Sequence, residues 1–379
     1  MKIVHIIPTF NEKENIGQII EVITLVGKKY PQWQNEILVV DDYSPDGTAQ
    51  LVIKLQKKYR HLHLLQKKKE GLGRALIYGY DYAIKKLKAD VVIPNDADFQ
   101  WDPKDFPKLI RKIEEGYDVV VASRHIKGGS VIGWNWFRKL NHDISNYLLA
   151  WWVAGVKEVK DHAGNFKALR VKGYLDKVPL SQMENAGFSF QLHILYELSK
   201  VGAKFIEVPV VFRERKLGQS KIGFNRYYLR DIIEYIRSSI LIRLERSPSF
   251  FKYLVVGGTG FTIQLVLEYL LILIGHFEES NAVSLGAEAA IISNFFLNNY
   301  WTFSGKKIRG LRLLRKFLQF NFVSIGSIII QKAVIMIGTI FISRDIYFVL
   351  ILNVITIIFL VIPYSYFIYN RFIWKTKKK

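Results

Sequence analysis

Asp96 and Asp98, with Gln100 two residues further on, close the apolar run Val91-Val92-Ile93-Pro94-Asn95. Two carboxylates at the carboxyl end of a buried strand cannot both be solvated by a core, so they need a charged partner. Oxygen donors at this spacing suit a hard divalent cation, Mg²⁺ or Mn²⁺, carrying a diphosphate. The plain alternative is a polar turn that caps the next helix. The chain has no cysteine, which excludes disulfides, thiolate zinc sites and cysteine nucleophiles.

Residues 1 to about 220 alternate strand and helix. Ile3–Ile7, Ile37–Val40, His61–Leu65, Val91–Asn95 and Asp118–Ala122 read as strands. Helices are expected after Asn11, over Thr48–Tyr59, over Leu72–Leu87 and over Phe188–Leu198; Asn11 with Glu14 resembles a capping box. Such alternation implies a mostly parallel, doubly wound α/β sheet, whose ligands sit beyond the carboxyl ends of the strands. Pro8–Glu12, Asp41-Asp42 and Asp96–Gln100 all fall there. A dinucleotide-binding fingerprint fits badly, because Gly71-Leu72-Gly73 follows the third strand and Leu76 stands where a third glycine belongs. No Walker sequence is present either. The carboxylates suggest nucleotide-sugar chemistry instead.

The 379 residues carry a formal charge of +21, which calls for an anionic partner: nucleic acid, anionic lipid or a phosphorylated substrate. Hydrophobicity is concentrated after Tyr253, in four stretches at roughly 253–274, 282–303, 317–341 and 346–369, each close to the ~20 residues that cross a bilayer. Lys306, Lys307, Arg309, Arg312, Arg315 and Lys316 fill the linker between the second and third stretches, and Lys375, Lys377, Lys378 and Lys379 end the chain. The positive-inside rule then puts both termini, the 304–316 loop and the amino-terminal domain in the cytoplasm. This membrane reading absorbs much of the charge and leaves nucleic acid unneeded. Ahead of the first span, Leu229, Ile232, Ile233, Ile236 and Ile240 share one helical face, as in a helix lying on the membrane surface. Within the spans Gln264, Glu268, Glu288, Asn294, Asn298, Gln331 and Lys332 are read as helix–helix glue, with Lys332 paired to a glutamate. The spans could also set homo-oligomerisation.

Ile7-Pro8-Thr9-Phe10-Asn11-Glu12, Val40-Asp41-Asp42-Tyr43-Ser44-Pro45-Asp46-Gly47-Thr48, Gly71-Leu72-Gly73 and Asp96-Ala97-Asp98-Phe99-Gln100 resemble the successive motifs of family 2 inverting glycosyltransferases. The resemblance is closest to polyprenyl-phosphate hexose synthases of the dolichol-phosphate mannose synthase type. It continues through Ser123-Arg124, Arg138-Lys139, Asp161 with Gly164-Asn165-Phe166, and Arg215-x-x-Gly218-Gln219-Ser220-Lys221. Ser293–Phe303 resembles part of a GtrA-like four-span domain. The resemblance implies a GT-A catalytic domain over 1–222, amphipathic interface helices over 223–250 and four membrane helices over 251–379. It implies that Asp96, Asp98 and Gln100 hold the metal, with Asp96 also against the diphosphate, and that Asp96, Asp98 and Arg124 are catalytic. Pro8, Phe10, Glu12, Asp41, Asp42 and Gly71 would hold the nucleotide sugar. Arg124, Arg138, His142, Arg215, Ser220 and Lys221 would gather around the phosphate of a polyprenyl or dolichyl acceptor.

On that reading the acceptor phosphate attacks the anomeric carbon of the sugar, displacing nucleoside diphosphate with inversion. A phosphate monoester is already a nucleophile near neutrality, so Glu184, ahead of the Phe188–Leu198 helix, would serve as base only for a hydroxyl acceptor. Mannose synthases usually have serine where His142 stands and glutamate where His193 stands; His193 is read as a packed helix residue. The expectation is transfer of a hexose, mannose from a GDP-mannose-like donor first, to polyprenyl phosphate. The alternatives are a glucose synthase using UDP-glucose and a lipid-linked sugar translocator.

Overall fold

The apolar runs that read as strands are strands, and those inside the sheet are largely enclosed on both faces, as parallel sheets require, whereas the edge strand Leu62–Gln66 is only partly buried. The computed structural model describes residues 1–183, 187–214, 226–342 and 345–374, in two units, Met1–Ile242 and Arg243–Lys379. The first unit opens with β1 (Lys2–Thr9), α1 (Lys13–Lys28), β2 (Gln34–Asp41), α2 (Thr48–Gln56), β3 (Leu62–Gln66), α3 (Leu72–Lys85) and β4 (Val91–Pro94). It continues through α4 (Phe106–Glu114), β5 (Val119–Ser123), β6 (Ser130–Ile132), α5 (Trp136–Asp143), β7 (Lys167–Arg170), α6 (Ser189–Lys200), β8 (Phe205–Pro209) and β9 (Val211–Arg213). α7 (Arg226–Arg246) follows.

Seven strands form one sheet in the order β3-β2-β1-β4-β7-β5-β8. All its pairings are parallel except those of β7, which enters antiparallel between β4 and β5. Its register puts Lys2 opposite Gln34 and Thr9 opposite Asp41, so β1 and β2 end level. Ile3, Ile7, Ile16, Ile20, Ile37, Val39, Ile93 and Val120 pack with Trp33 and Phe106 beneath the site. On α3, a Cβ at Gly79 would lie 2.6 Å from Ile6 Cγ2, so glycine lets the helix sit directly on β1. β6 and β9 make a separate parallel pair.

The expected capping box does not start α1. Asn11 is left-handed, with φ 58°, and Glu12 takes the cap position without a side-chain cap bond. The loop after β2 answers these amides instead: Asn11 N–H donates to Ser44 Oγ at 3.0 Å and Glu12 N–H to Thr48 Oγ1 at 3.1 Å.

The second unit comprises α8 (Pro248–Leu273), α9 (Glu279–Leu297), α10 (Arg312–Phe341), α11 (Ile346–Thr356) and α12 (Ile362–Ile368), the last two joined through a π-helical turn. Among the described residues, Pro248–Leu273, Arg312–Phe341 and Ile351–Ile373 are long and apolar enough to cross a membrane. The second stretch is the helix α9, whose Glu288, Asn281 and Asn294 dilute its apolar character. Phe295, Phe303, Phe320, Tyr366, Tyr369 and Trp374 form an aromatic cluster, with Phe303 stacked on Trp374 at 4.6 Å and Phe320 on Tyr369 at 4.4 Å. The expected Lys332–glutamate pair is not formed among the described residues. Glu268 accepts from Gln264 one turn away, at 2.8 Å.

Candidate active site

The sheet order sets the carboxyl ends of β3, β2, β1 and β4 side by side. Among the described residues, three of the five non-glycine residues with positive φ, Asn11, Tyr43 and Phe99, lie in the loops that follow β1, β2 and β4. Backbone strain gathered at strand ends is a mark of a functional edge. Asp41 is fully enclosed. Its carboxylate accepts from Ser44 N–H (2.9 Å), Ser44 Oγ (2.6 Å) and Thr9 Oγ1 (3.1 Å), bonds that tie the loop after β2 to β1. Asp42 pairs with the buried Lys67 at 3.0 Å. Burial pushes the Asp42 carboxyl up, and Lys67 pulls it part of the way back. Pro8 is the penultimate residue of β1, opposite Val40, Lys69 Nζ stands 3.3 Å from the centre of the Phe10 ring, and Glu12 accepts from Asn15 at 3.0 Å. Gly71, at φ 102°, starts α3 in a conformation that side chains resist.

Beyond β4, Asp96 is half-buried while Asp98 and Gln100 are buried. Asp98 Oδ1 accepts from Gln100 N–H at 3.0 Å, and Asp96 Oδ1 accepts from Asn165 Nδ2 at 3.0 Å. These are neutral donors, which orient a carboxylate without neutralising it. Two carboxylates and an amide make an all-oxygen set that fits Mg²⁺ or Mn²⁺ and not a soft metal. Asp96 and Gln100 open into a cavity of ≈ 760 Å³ whose walls also include Arg124, Arg138 and His142. The residues expected to bind diphosphate and those expected to bind the acceptor thus share one space. Pro8, Phe10, Glu12, Asp41, Asp42, Gly71 and Asp98 do not line it.

Asp96 is also the end of a buried chain. Lys167 Nζ donates to Gln191 Oε1 at 2.7 Å, Gln191 Nε2 to Asn165 Oδ1 at 3.0 Å, and Asn165 Nδ2 to Asp96. Lys167 is completely buried, and burial draws its pKa down to about 7, against the opposing pull of Asp161 and Asp96. β7 supplies this lysine because, running antiparallel, its first residue lies at the carboxyl ends of its neighbours. Gln191→Leu is expected to leave the lysine without its acceptor and to cost about 2 kcal/mol, the worth of a hydrogen bond to a charged group. Thermal denaturation of the variant beside the wild type checks this.

Arg124, at the end of β5, clamps the fully buried Asp161: Nε to Oδ2 at 2.8 Å, Nη2 to Oδ1 at 2.7 Å, and its own N–H to Oδ2 at 2.9 Å. Its guanidinium also lies over Trp101, Phe212 and Trp134 at 4.9, 5.1 and 5.6 Å. Burial would raise the Asp161 carboxyl, but Arg124 beside it holds it well below the usual carboxylate range. Nη1 takes no part in this clamp. Arg138 stacks over Trp134 at 4.6 Å, with Glu214 3.7 Å away.

His142 Nε2 lies 2.9 Å from His125 Nε2, and His125 Nδ1 lies 2.9 Å from the Tyr147 hydroxyl. His125, His142 and Asp161 offer donor atoms within 4.8 Å of one another. The Arg124 clamp already occupies both Asp161 oxygens and places a fixed positive charge there, which opposes a metal ion. His193 sits on α6, 3.7 Å from Glu197, as a packed helix residue.

Arg215, Ser220, Lys221 and Glu184 lie outside the described residues. Sequence reading missed His125, Tyr147, Trp101, Trp134 and an apolar stripe. α5 runs on as a π-helix through Ile144–Ala154 and exposes Trp136, Leu140, Ile144, Tyr147 and Trp151. Their spacing of four, four, three and four residues was the available signal.

Residues 5–173 match the model of glycosyl transferase family 2, and residues 252–374 that of the GtrA/DPMS transmembrane domain. A dolichol-phosphate mannosyltransferase of Pyrococcus furiosus is 32% identical over 335 residues, spanning 87% of this chain and 89% of that protein. A polyprenol monophosphomannose synthase of Mycolicibacterium smegmatis is 33% identical over 225 residues, 58% of this chain and 80% of that protein. An undecaprenyl-phosphate mannosyltransferase of Micrococcus luteus is 30% identical over 224 residues, 59% of this chain and 88% of that protein. The chain belongs to glycosyl transferase family 2. It is an enzyme of that family whose catalytic domain is followed by a GtrA/DPMS membrane domain.

Proposed function

We propose that the protein transfers a hexose, mannose in the first instance, from a nucleotide diphosphate sugar to polyprenyl phosphate, inverting the anomeric carbon, at the cytoplasmic face of the membrane. The observation that carries this reading is the single cavity joining Asp96 and Gln100 to Arg124, Arg138 and His142. The named activities of the relatives support mannose over glucose.

Nucleoside recognition belongs to Pro8, Phe10, Glu12, Asp42 and Gly71, with Asp41 setting their loop. Asp96, Asp98 and Gln100 would hold a divalent cation, which when bound supplies charge stabilisation to the departing diphosphate. Arg124 and Arg138 hold the acceptor phosphate in line with the sugar, and Arg215, Ser220 and Lys221 complete that set. Arg124 arrives pre-oriented by Asp161, so little ordering is left to be done when the phosphate binds. The sugar C–O bond to the diphosphate breaks as the phosphate oxygen bonds to the anomeric carbon.

The membrane assignment draws support from two outward apolar faces. Ile233 and Ile240 of α7 are 65% and 44% exposed, and Trp136 of α5 is 74% exposed. Positive charge in the 304–316 loop and at the carboxyl terminus supports placing them, with the catalytic domain, in the cytoplasm. Trp136→Asp is expected to raise the KM for a long-chain polyprenyl phosphate in vesicles by about tenfold, as loss of about half an aromatic side chain's burial would. Vesicle assays across acceptor concentrations check it.

Purified protein in liposomes should be offered GDP-mannose, UDP-glucose and other nucleotide sugars with polyprenyl phosphate and Mn²⁺. Labelled β-mannosyl lipid from GDP-mannose is the expected result. Glucosyl lipid from UDP-glucose would redirect the sugar assignment.

A further inference from the structure

The cavity wall that meets the acceptor contains a line of groups the transfer reaction itself does not require. His142 Nε2 and His125 Nε2 stand 2.9 Å apart, and His125 Nδ1 stands 2.9 Å from Tyr147 Oη. The two imidazoles lie nearly parallel, at 9°. His142 lines the cavity, whereas Tyr147 is 41% exposed. With Nε2 occupied by His125, Nδ1 is the nitrogen through which His142 can meet a cavity ligand. The line therefore runs from the cavity to the surface through atoms that each donate in one tautomer and accept in the other.

We propose that His142, His125 and Tyr147 form a proton relay that takes the proton of a monoprotonated acceptor phosphate and releases it at the protein surface. The proposal rests on the reading of the acceptor as a phosphate monoester. In the starting tautomer, His142 Nε2–H donates to His125 Nε2 and His125 Nδ1–H donates to Tyr147 Oη. The phosphate P–OH proton passes to His142 Nδ1 and the His142 Nε2 proton to His125 Nε2. The His125 Nδ1 proton then passes to Tyr147 Oη as the tyrosine's own proton leaves to water. One proton enters and one leaves, no side chain is left charged, and the phosphate oxygen gains the electron pair with which it bonds to the sugar. The tautomers reset against water once the product has gone.

The surroundings keep the line neutral. Burial, with Arg124, His125 and Arg138, outweighs Asp161 and lowers the His142 pKa to about 3. Burial and Arg124 likewise lower His125, against Asp161, Asp143 and Glu207. An imidazole already protonated at pH 5.5 could not accept the phosphate's proton; His142 remains able to, and the shift at His125 is in the same direction. The relay thus acts in the range where a phosphate monoester, with its second pKa near ~6, still carries a proton.

The test is the ratio of variant to wild-type turnover between pH 8 and pH 5.5, for His125→Gln and Tyr147→Phe, in full-length protein with polyprenyl phosphate. Glutamine keeps a hydrogen bond but passes no proton. For His125→Gln the ratio is expected to fall about fourfold on acidification, because with a second pKa near ~6 only about a quarter of the phosphate is still dianion at pH 5.5 and can react without the relay. Tyr147→Phe should shift it less and in the same direction. A ratio that stays constant, whatever its size, marks a structural role and overturns the relay alone. Absence of lipid product from the wild type at every pH overturns the reading of the acceptor, and the relay with it.

Discussion

Replacing Asp96 by alanine is expected to lower turnover by two to three orders of magnitude, roughly 3–4 kcal/mol, the loss seen when one group stabilising transition-state charge is removed. Asp96 enters the cavity and accepts from Asn165, so the change empties the diphosphate side of the site while leaving the sheet beneath it intact. Thermal stability should fall only by the roughly 1–3 kcal/mol of leaving the buried Asn165 amide without its acceptor. On the proposed metal site, Asp98→Ala should act in the same direction with a weaker response to added Mn²⁺, since it would remove a second oxygen ligand. Steady-state rates across Mn²⁺ concentration, with and without EDTA, check both.

The second large effect is on stability. Asp161→Ala is expected to cost about 3–5 kcal/mol, because it leaves the Arg124 guanidinium buried without its counter-ion. Asp161 is fully buried and Arg124 is 8% exposed, so water cannot take the carboxylate's place. The pH dependence follows from the depressed carboxyl. Because its folded-state pKa lies below the ordinary value of 3.8, the pair's contribution is complete above that value and declines as pH falls beneath it. Acid unfolding of the wild type should accordingly steepen below about pH 4, and that steepening should shrink in the variant. Chemical denaturation at pH 7 and at pH 3 measures both claims.

Much of the catalytic fold was legible because parallel strands buried on both faces read as unbroken apolar runs, as Ile3–Ile7, Ile37–Val40 and Val91–Ile93 do. β7 was not read as a strand, since Lys167-Ala168-Leu169-Arg170 has no such run and owes its place to antiparallel pairing on both sides. The strand-end motifs were visible because their carboxylates break apolar runs abruptly. The roles within them were less so. Asp41 and Asp42 look equivalent in sequence, yet one bonds to Ser44 and Thr9 and the other pairs with Lys67. The Arg124–Asp161 clamp joins residues 37 apart, and His125 meets His142 across 17. No local periodicity encodes such pairings; the sheet order does. The membrane helices were legible from length and hydropathy, except that polar residues make α9 the least apolar of the set.

The central claim is that a polyprenyl phosphate is the nucleophile. It is tested most directly by measuring nucleoside diphosphate release from GDP-mannose by the purified full-length protein, with Mn²⁺, in the presence and absence of polyprenyl phosphate. Release that depends on the lipid phosphate, matches mannosyl lipid one for one and disappears in Asp96→Ala is the predicted result. Release that proceeds equally without the lipid, or lipid that gains no sugar from any donor, would contradict it.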